Sequence, residues 1–255
     1  MSHIHIPDGI LPFWLVATGW VITFVLLLLS ARRLSGEQAQ RKIPLLGVVA
    51  ALMLVGMSTE FVPIAYHVNL TVLAGIIVGP AMGFLAAFIV VLILALFGHG
   101  GITVVGLNAI IIGAECALGH VIFRALLRLW RERPKSVAAP VGISVIVTLF
   151  ITTMLLIGVI TLANIDPGKA RDTGSLDAAT LSFTNPFGGG VLSNRVINPE
   201  REQMSNFYLR DSGIDLGRFA AAVLILGFIG WLIEAMITAI IVQFIYRVRR
   251  ELIMQ

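Results

Sequence analysis

The sequence predicts an all-helical integral membrane protein of about seven transmembrane helices, and three observations carry that reading. The chain is 58% hydrophobic and 13% charged over 255 residues, with mean hydropathy +0.96, which leaves too little polar surface to face water all round. Its apolar residues gather into runs of the length a bilayer core demands, roughly 20 residues in helical form. Twelve of its 18 basic residues, in a chain of net charge +4, lie in short stretches at or near the ends of those runs. There they orient a membrane protein and form no continuous patch for a nucleic acid, so no nucleic-acid partner is expected.

Taken in order, the first run is Leu11–Ser30. No basic region precedes it and Arg32 and Arg33 follow, so it reads as a retained span and not as a cleaved signal sequence. Pro44–Pro63 is the second. The stretch Asn69–Gly98 is interrupted by Gly79-Pro80, where proline removes a backbone donor and disfavours one straight helix. Gly106–Leu127, Val141–Ala163 and Phe219–Tyr246 complete the set. Charge decides how Asn69–Gly98 is counted. If it crosses once, Arg124, Arg128, Arg131, Arg133 and Lys135 face the side opposite Arg32, Arg33, Arg41 and Lys42. If it crosses twice, both groups share one side with Arg247, Arg249 and Arg250, as the preference for cytoplasmic positive charge requires. Seven crossings follow, with the amino terminus outside and the carboxyl terminus in the cytoplasm.

The whole of 1–255 reads as one membrane domain. Residues 164–218 are polar, mixed in charge, and contain Asn185-Pro186-Phe187-Gly188-Gly189-Gly190, so they read as an external loop with little regular structure. The loop has two readings, a cover over a site on the external face or a contact for a small accessory membrane protein. The lone Cys116 lies in an apolar run and offers neither a disulfide framework nor a cysteine metal site. Gly75-xxx-Gly79-xxx-Gly83 has the small-residue spacing that lets helices approach closely in lipid, within this chain or against another membrane subunit.

The chemistry is concentrated in histidines. His3 and His5 stand in the first five residues, and with this topology they share the external face with the Tyr66-His67 turn and with Phe97-Gly98-His99-Gly100. An α-amine, one or two deprotonated backbone amides and an imidazole close fused chelate rings in one plane. Such flat nitrogen coordination suits Ni(II) and Cu(II) better than tetrahedral Zn(II). Pro7-Asp8-Gly9 is a turn sequence that could bring these nitrogens over the bundle toward His67. His120, toward the cytoplasmic end of its helix, reads as a packing or hydrogen-bonding residue.

Several segments together resemble the CbiM/NikM family. They are His5-Ile6-Pro7-Asp8-Gly9, Tyr66-His67-Val68-Asn69-Leu70-Thr71 with Ala74-Gly75 and Gly79-Pro80, Leu96–Thr103 with Gly106-Leu107-Asn108, and Glu234-Ala235-Met236-Ile237-Thr238. The resemblance spans nearly all of the membrane portion and fails only across the loop after Ala163. It implies the substrate-capture component of an energy-coupling factor transporter for cobalt or nickel in a prokaryotic plasma membrane. The ion is then cargo, with no permanently bound cofactor. The implied partners are a transmembrane coupling subunit and ATP-binding cassette ATPases, besides membrane lipid.

The resemblance also implies a ligand set: a terminal amine, the amide and imidazole of a histidine in second place, and a further imidazole that matches His67. The amino terminus departs from that pattern, because the histidine aligned with the Ile-Pro-Asp-Gly signature is His5, which is not second. Removal of Met1, favoured by the small Ser2, would leave the Ser2 amine, the His3 amide and the His3 imidazole, with His67 closing the plane. With Met1 retained, the amine, the Ser2 and His3 amides and the His3 imidazole form a four-nitrogen set, and His5 and His67 become axial or supporting groups. His5 stays an alternative ligand. Binding displaces protons, so affinity falls as pH drops below about 7.7 for the amine and about 6.5 for an unperturbed imidazole. Nickel and cobalt are both left open.

Other polar groups carry two readings each. Glu60 is either a partner for the His67 ring or a helix-end residue, since ligating imidazoles usually donate their second N–H to an oxygen. Asn69 and Asn108 are expected to orient the site, on the strength of the resemblance. His99 is either a supporting group or a turn residue between glycines. Glu115 and Glu234, deeper in their helices, read as protonated carboxyls at helix contacts. No G-x-x-x-x-G-K-[ST] phosphate loop occurs, so ATP hydrolysis is expected from partners and the chain itself is not expected to be an enzyme. Two rival readings are an intramembrane metalloenzyme built on His67, His99, His120 and Glu115, which lacks an H-E-x-x-H pair, and a stand-alone metal channel.

Overall fold

The computed structural model describes residues 11–34, 43–58, 67–97, 101–130, 136–162 and 216–254. Among these the architecture is helical throughout: α1 (Phe13–Arg32), α2 (Ile43–Ser58), α3 (Thr71–Val78), α4 (Pro80–Leu96), α5 (Val105–Leu129), α6 (Ala138–Leu162), α7 (Leu216–Val248) and a short α8 (Arg250–Ile253). Four of them, α1, α5, α6 and α7, are long and apolar enough to cross a membrane. The shorter α2 and α4 have 16 and 17 residues. The bundle is wrapped in large apolar side chains that point away from it. Val21, Phe24 and Leu28 on α1 and Ile240 and Phe244 on α7 are each more than half exposed. Lipid is the solvent that tolerates such faces.

The expected interruption at Gly79-Pro80 is a reversal. Gly79 adopts φ 84°, a left-handed value that glycine takes without steric cost, and Pro80 opens α4 where its missing N–H is of no consequence. The two limbs lie side by side, because a Cβ placed on Gly83 would stand 3.6 Å from the Gly75 Cα. The first limb, α3, has only 8 residues, about 12 Å, which is less than the thickness of a bilayer core. All eight are buried, wrapped by α2, α4, α5, α6 and α7. A helix apolar on every side belongs inside other helices, and α3 obeys that rule.

Helix α5 organises the rest through its small residues. At Gly106 it meets the backbone of Gly19 and Trp20 in α1, at Gly113 the ring of Phe84 in α4, and at Gly119 the side chain of Val72 in α3. Two hydrogen bonds fix α1 against it: Trp20 Nε1 donates to the Thr103 carbonyl at 2.7 Å and Thr23 Oγ1 to the Gly106 carbonyl at 2.7 Å. Helices α6 and α7 run antiparallel. Val137 N, near the start of α6, donates to Gln243 Oε1 near the end of α7 at 2.8 Å, while Phe150 packs edge-on against Trp231. Helix α7 has 33 residues and starts at Leu216, so it takes in the last residues of the expected loop 164–218. The rest of that loop, to residue 215, lies outside the described residues.

Candidate metal-capture site

His67 is half-buried and begins the segment His67–Leu70 that leads into α3. What fixes this segment is a set of polar contacts in the bundle interior. The Asn69 side chain donates through Nδ2 to Glu115 Oε2 at 2.6 Å, and Thr71 Oγ1 donates to the same oxygen at 2.8 Å. The Asn69 backbone N–H points at Glu234 Oε2 at 3.4 Å. Thr152 Oγ1 of α6 reaches Glu115 Oε1 at 3.0 Å. Asn69, Thr71, Glu115, Thr152 and Glu234 are all buried to 1% exposure or less. In so dry a setting a polar side chain is costly unless it is bonded, so these contacts are worth more to the segment than they would be at a surface.

The backbone is shaped to allow this. Leu70 has φ 55°, in the left-handed region, where a branched side chain costs roughly 1 kcal/mol or more. The turn at Leu70 carries Asn69 and Thr71, two residues apart, to one carboxylate oxygen. Behind the segment, Gly56 of α2 lies directly against the Val68 carbonyl, with no room for a Cβ. The stretch carrying His67 is thus held from α2, α5 and α7 at once.

The chain leading to the amino-terminal histidines meets the same part of α5. Leu11, Leu15 and Val16 form a cluster with Val104, Leu107 and Ile111, while Glu115 stands one turn beyond Ile111. Along a helix, four to eight residues span about 6 to 12 Å. The start of α1 and the His67 segment therefore flank the first three turns of α5. Asn108 is buried in the first turn, seven residues before Glu115, which puts both on one face two turns apart.

Of the residues singled out in the sequence, His67, Asn69 and Asn108 fall in the described structure, and Ser2, His3, His5, Glu60 and His99 lie outside it. His120 is placed away from His67, with Nδ1 2.9 Å from the Gly75 carbonyl in α3. Glu115 and Glu234, read from the sequence as carboxyls at helix contacts, with Glu115 also a member of the rival metalloenzyme set, are the groups that grip the His67 segment. Their partner Asn69 is 46 residues from the one and 165 from the other, so no local pattern exposes the link. The sign along the chain is the carboxyls themselves, set deep in apolar helices where an ionisable group is costly.

Comparison with known proteins settles the family. The model for the cobalt uptake substrate-specific transmembrane region, CbiM, matches residues 5–252. The chain belongs to the CbiM family. A provisionally named metal transport protein of Haloquadratum walsbyi is 36% identical over 146 residues, 53% of this chain and 62% of that protein. A provisionally named fused nickel transport protein, NikMN, of Archaeoglobus fulgidus is 33% identical over 149 residues, 55% of this chain and 48% of that protein. The matched segments thus span about half to three-fifths of these relatives' length. A crystal structure of a transition metal transporter shares the fold, with TM-score 0.68 over 96% of this chain and 93% of that one at 18% identity. This CbiM-family chain is a multi-pass membrane protein of a metal-transport family, nearly all helical.

Proposed function

We propose that this chain captures Ni(II) or Co(II) on the external side of the membrane as the substrate-binding component of an energy-coupling factor transporter. The observation that carries the proposal is the convergence on α5 of two tethered stretches, the start of α1 and the His67 segment. The first leads back to Ser2, His3 and His5, the second ends on an imidazole. An amine, an amide and an imidazole from the one and a second imidazole from the other make the flat four-nitrogen set that Ni(II) prefers. The charge distribution favours seven passes with the amino terminus outside, the 8-residue α3 making only part of one of them, and His3, His5, His67 and His99 then open toward one side. Glu60, Asn69, His99 and Asn108 would orient the ligands through their second hydrogen-bonding positions.

The chain does no catalysis in this scheme. A chelate tight enough to scavenge a scarce ion releases it slowly, so release needs a conformational change driven by partners. A transmembrane coupling subunit and a pair of ATP-binding cassette ATPases supply it. Because Cu(II) binds the same nitrogens more tightly than Ni(II), selectivity against copper comes from availability or added geometry.

The test compares two tagged forms in cells that co-express the coupling subunit and the ATPases. An extension at the amino terminus is expected to abolish nickel uptake, and a carboxyl-terminal tag to spare it. Equal uptake by both forms overturns the role of the free amine. Uptake that persists without ATPases identifies a channel instead.

A further inference from the structure

We infer that Glu115 is a positioning residue for ion capture: it sets where the His67 imidazole stands by clamping the two side chains that follow it. The inference rests on the proposed capture of Ni(II) or Co(II) by His67 and extends it to a group with no direct contact to the ion. Three donors converge on the carboxylate, and two of them, Asn69 Nδ2 and Thr71 Oγ1, belong to the His67 segment and its entry into α3. The third, Thr152 Oγ1, ties the same carboxylate to α6. Glu115 therefore joins the ion-bearing stretch to two long helices at once. The left-handed Leu70 lies between the two clamped residues, so the clamp also holds a backbone conformation that would otherwise relax.

The geometry separates a positioning role from a role that needs an ionisable group. In Glu115→Gln, the amide oxygen replaces Oε2 and still accepts from Asn69 and Thr71. The amide nitrogen then faces Thr152, whose hydroxyl can turn its proton to the Thr148 carbonyl at 3.1 Å or the Leu149 carbonyl at 3.3 Å and accept in its place. Glutamine thus preserves the clamp and removes the ionisable group, whereas alanine removes both.

The experiment uses the purified full chain in detergent with Ni(II) alone as probe. Affinity is read by competition with a chelator, and ligand geometry by the visible absorption of the bound ion. Glu115→Gln is expected to stay within about threefold of the parent in affinity with an unchanged spectrum. Glu115→Ala should bind roughly 10- to 100-fold more weakly, as loss of a group orienting a metal ligand does, with a displaced spectrum. Thr71→Val, which removes one donor and leaves the carboxylate in place, should fall between the two and covers the case in which the alanine variant does not fold. An alanine variant, or in that case Thr71→Val, that binds like the parent overturns the inference. So does a glutamine variant as impaired as alanine, which would assign the role to the ionisable group.

A metal-free readout separates this inference from the capture reading. His67→Cys is combined with each Glu115 variant and the rate of maleimide labelling is measured. The rate should change severalfold in the alanine background and stay the same in the glutamine one. That pattern in a chain whose parent binds no Ni(II) would sink the capture reading and leave the clamp standing. Equal labelling rates in all backgrounds would sink the clamp itself.

Discussion

Gly75 of α3 lies against the backbone carbonyl of Cys116 in α5 so closely that no side chain fits between them. The two helices touch backbone to backbone, the form of packing that replaces hydrophobic drive inside lipid. Gly75→Ala is therefore expected to separate α3 from α5 and destabilise the bundle by about 1–3 kcal/mol, the usual range for overpacking. Thermal unfolding in detergent reads the loss. Gly47→Ala and Gly142→Ala, where an added Cβ meets nothing within 4 Å, serve as controls. They should leave the melting temperature unchanged or raise it, since alanine favours helix by about 0.5–1 kcal/mol over glycine.

The contact of His120 with the Gly75 carbonyl is a second tie between α3 and α5. His120→Phe keeps a planar aromatic ring, slightly larger, and removes the bond. It should cost about 0.5–1.5 kcal/mol, the net worth of such a hydrogen bond, and leave Ni(II) affinity within twofold. A large loss of affinity without a matching loss of stability would move His120 onto the ion's route.

Thr23→Val and Trp20→Phe each remove one hydrogen bond between α1 and the start of α5. In a membrane such bonds average about 0.6 kcal/mol, so each single variant should melt only slightly lower. Ion capture should suffer more than stability in the double variant, because α1 is the tether of the amino-terminal nitrogens. Chelator competition and thermal unfolding on the same preparations make the comparison. Equal, small effects on both would detach α1 from capture.

The proposed chelate has a characteristic dependence on acidity. Coordination displaces a proton from the bound backbone amide at any ordinary pH, and a second from the α-amine below its usual value of about 7.7. Apparent affinity should thus rise with pH, by about a hundredfold per unit between roughly pH 6.5 and 7.5, and by about tenfold per unit above 8. A site made of imidazoles alone would level off above about pH 7, so a plateau in competition titrations there rules out the amine and amide.

Much of the bundle was legible in the sequence because lipid imposes a simple rule on span length. The expected spans Leu11–Ser30, Gly106–Leu127 and Val141–Ala163 differ from α1, α5 and α6 by at most three residues at each end. The small shifts arise where helix continues past the apolar run, as at Arg32 and Leu129. Gly79-Pro80 announced the break in Asn69–Gly98, since that dipeptide admits few backbone shapes. The brevity of α3 was not legible: its composition is that of any apolar span, and only the surrounding helices reveal that it is enclosed. The same holds for the site. His67 and Asn69 stand out as polar residues at a turn, whereas the grip of Glu115 and Glu234 on that turn is made by tertiary contacts across distant parts of the chain.

Cys116, the single cysteine of the chain, is fully enclosed, with Gly75 against its backbone and Gly83 against its side chain. Its thiol is sealed from solutes as long as α3, α4 and α5 stay together. A spectroscopic label or crosslinker attached through a newly introduced surface cysteine would therefore report from one place only, without the native thiol first being replaced. Reaction at Cys116 itself would signal that the three helices had come apart.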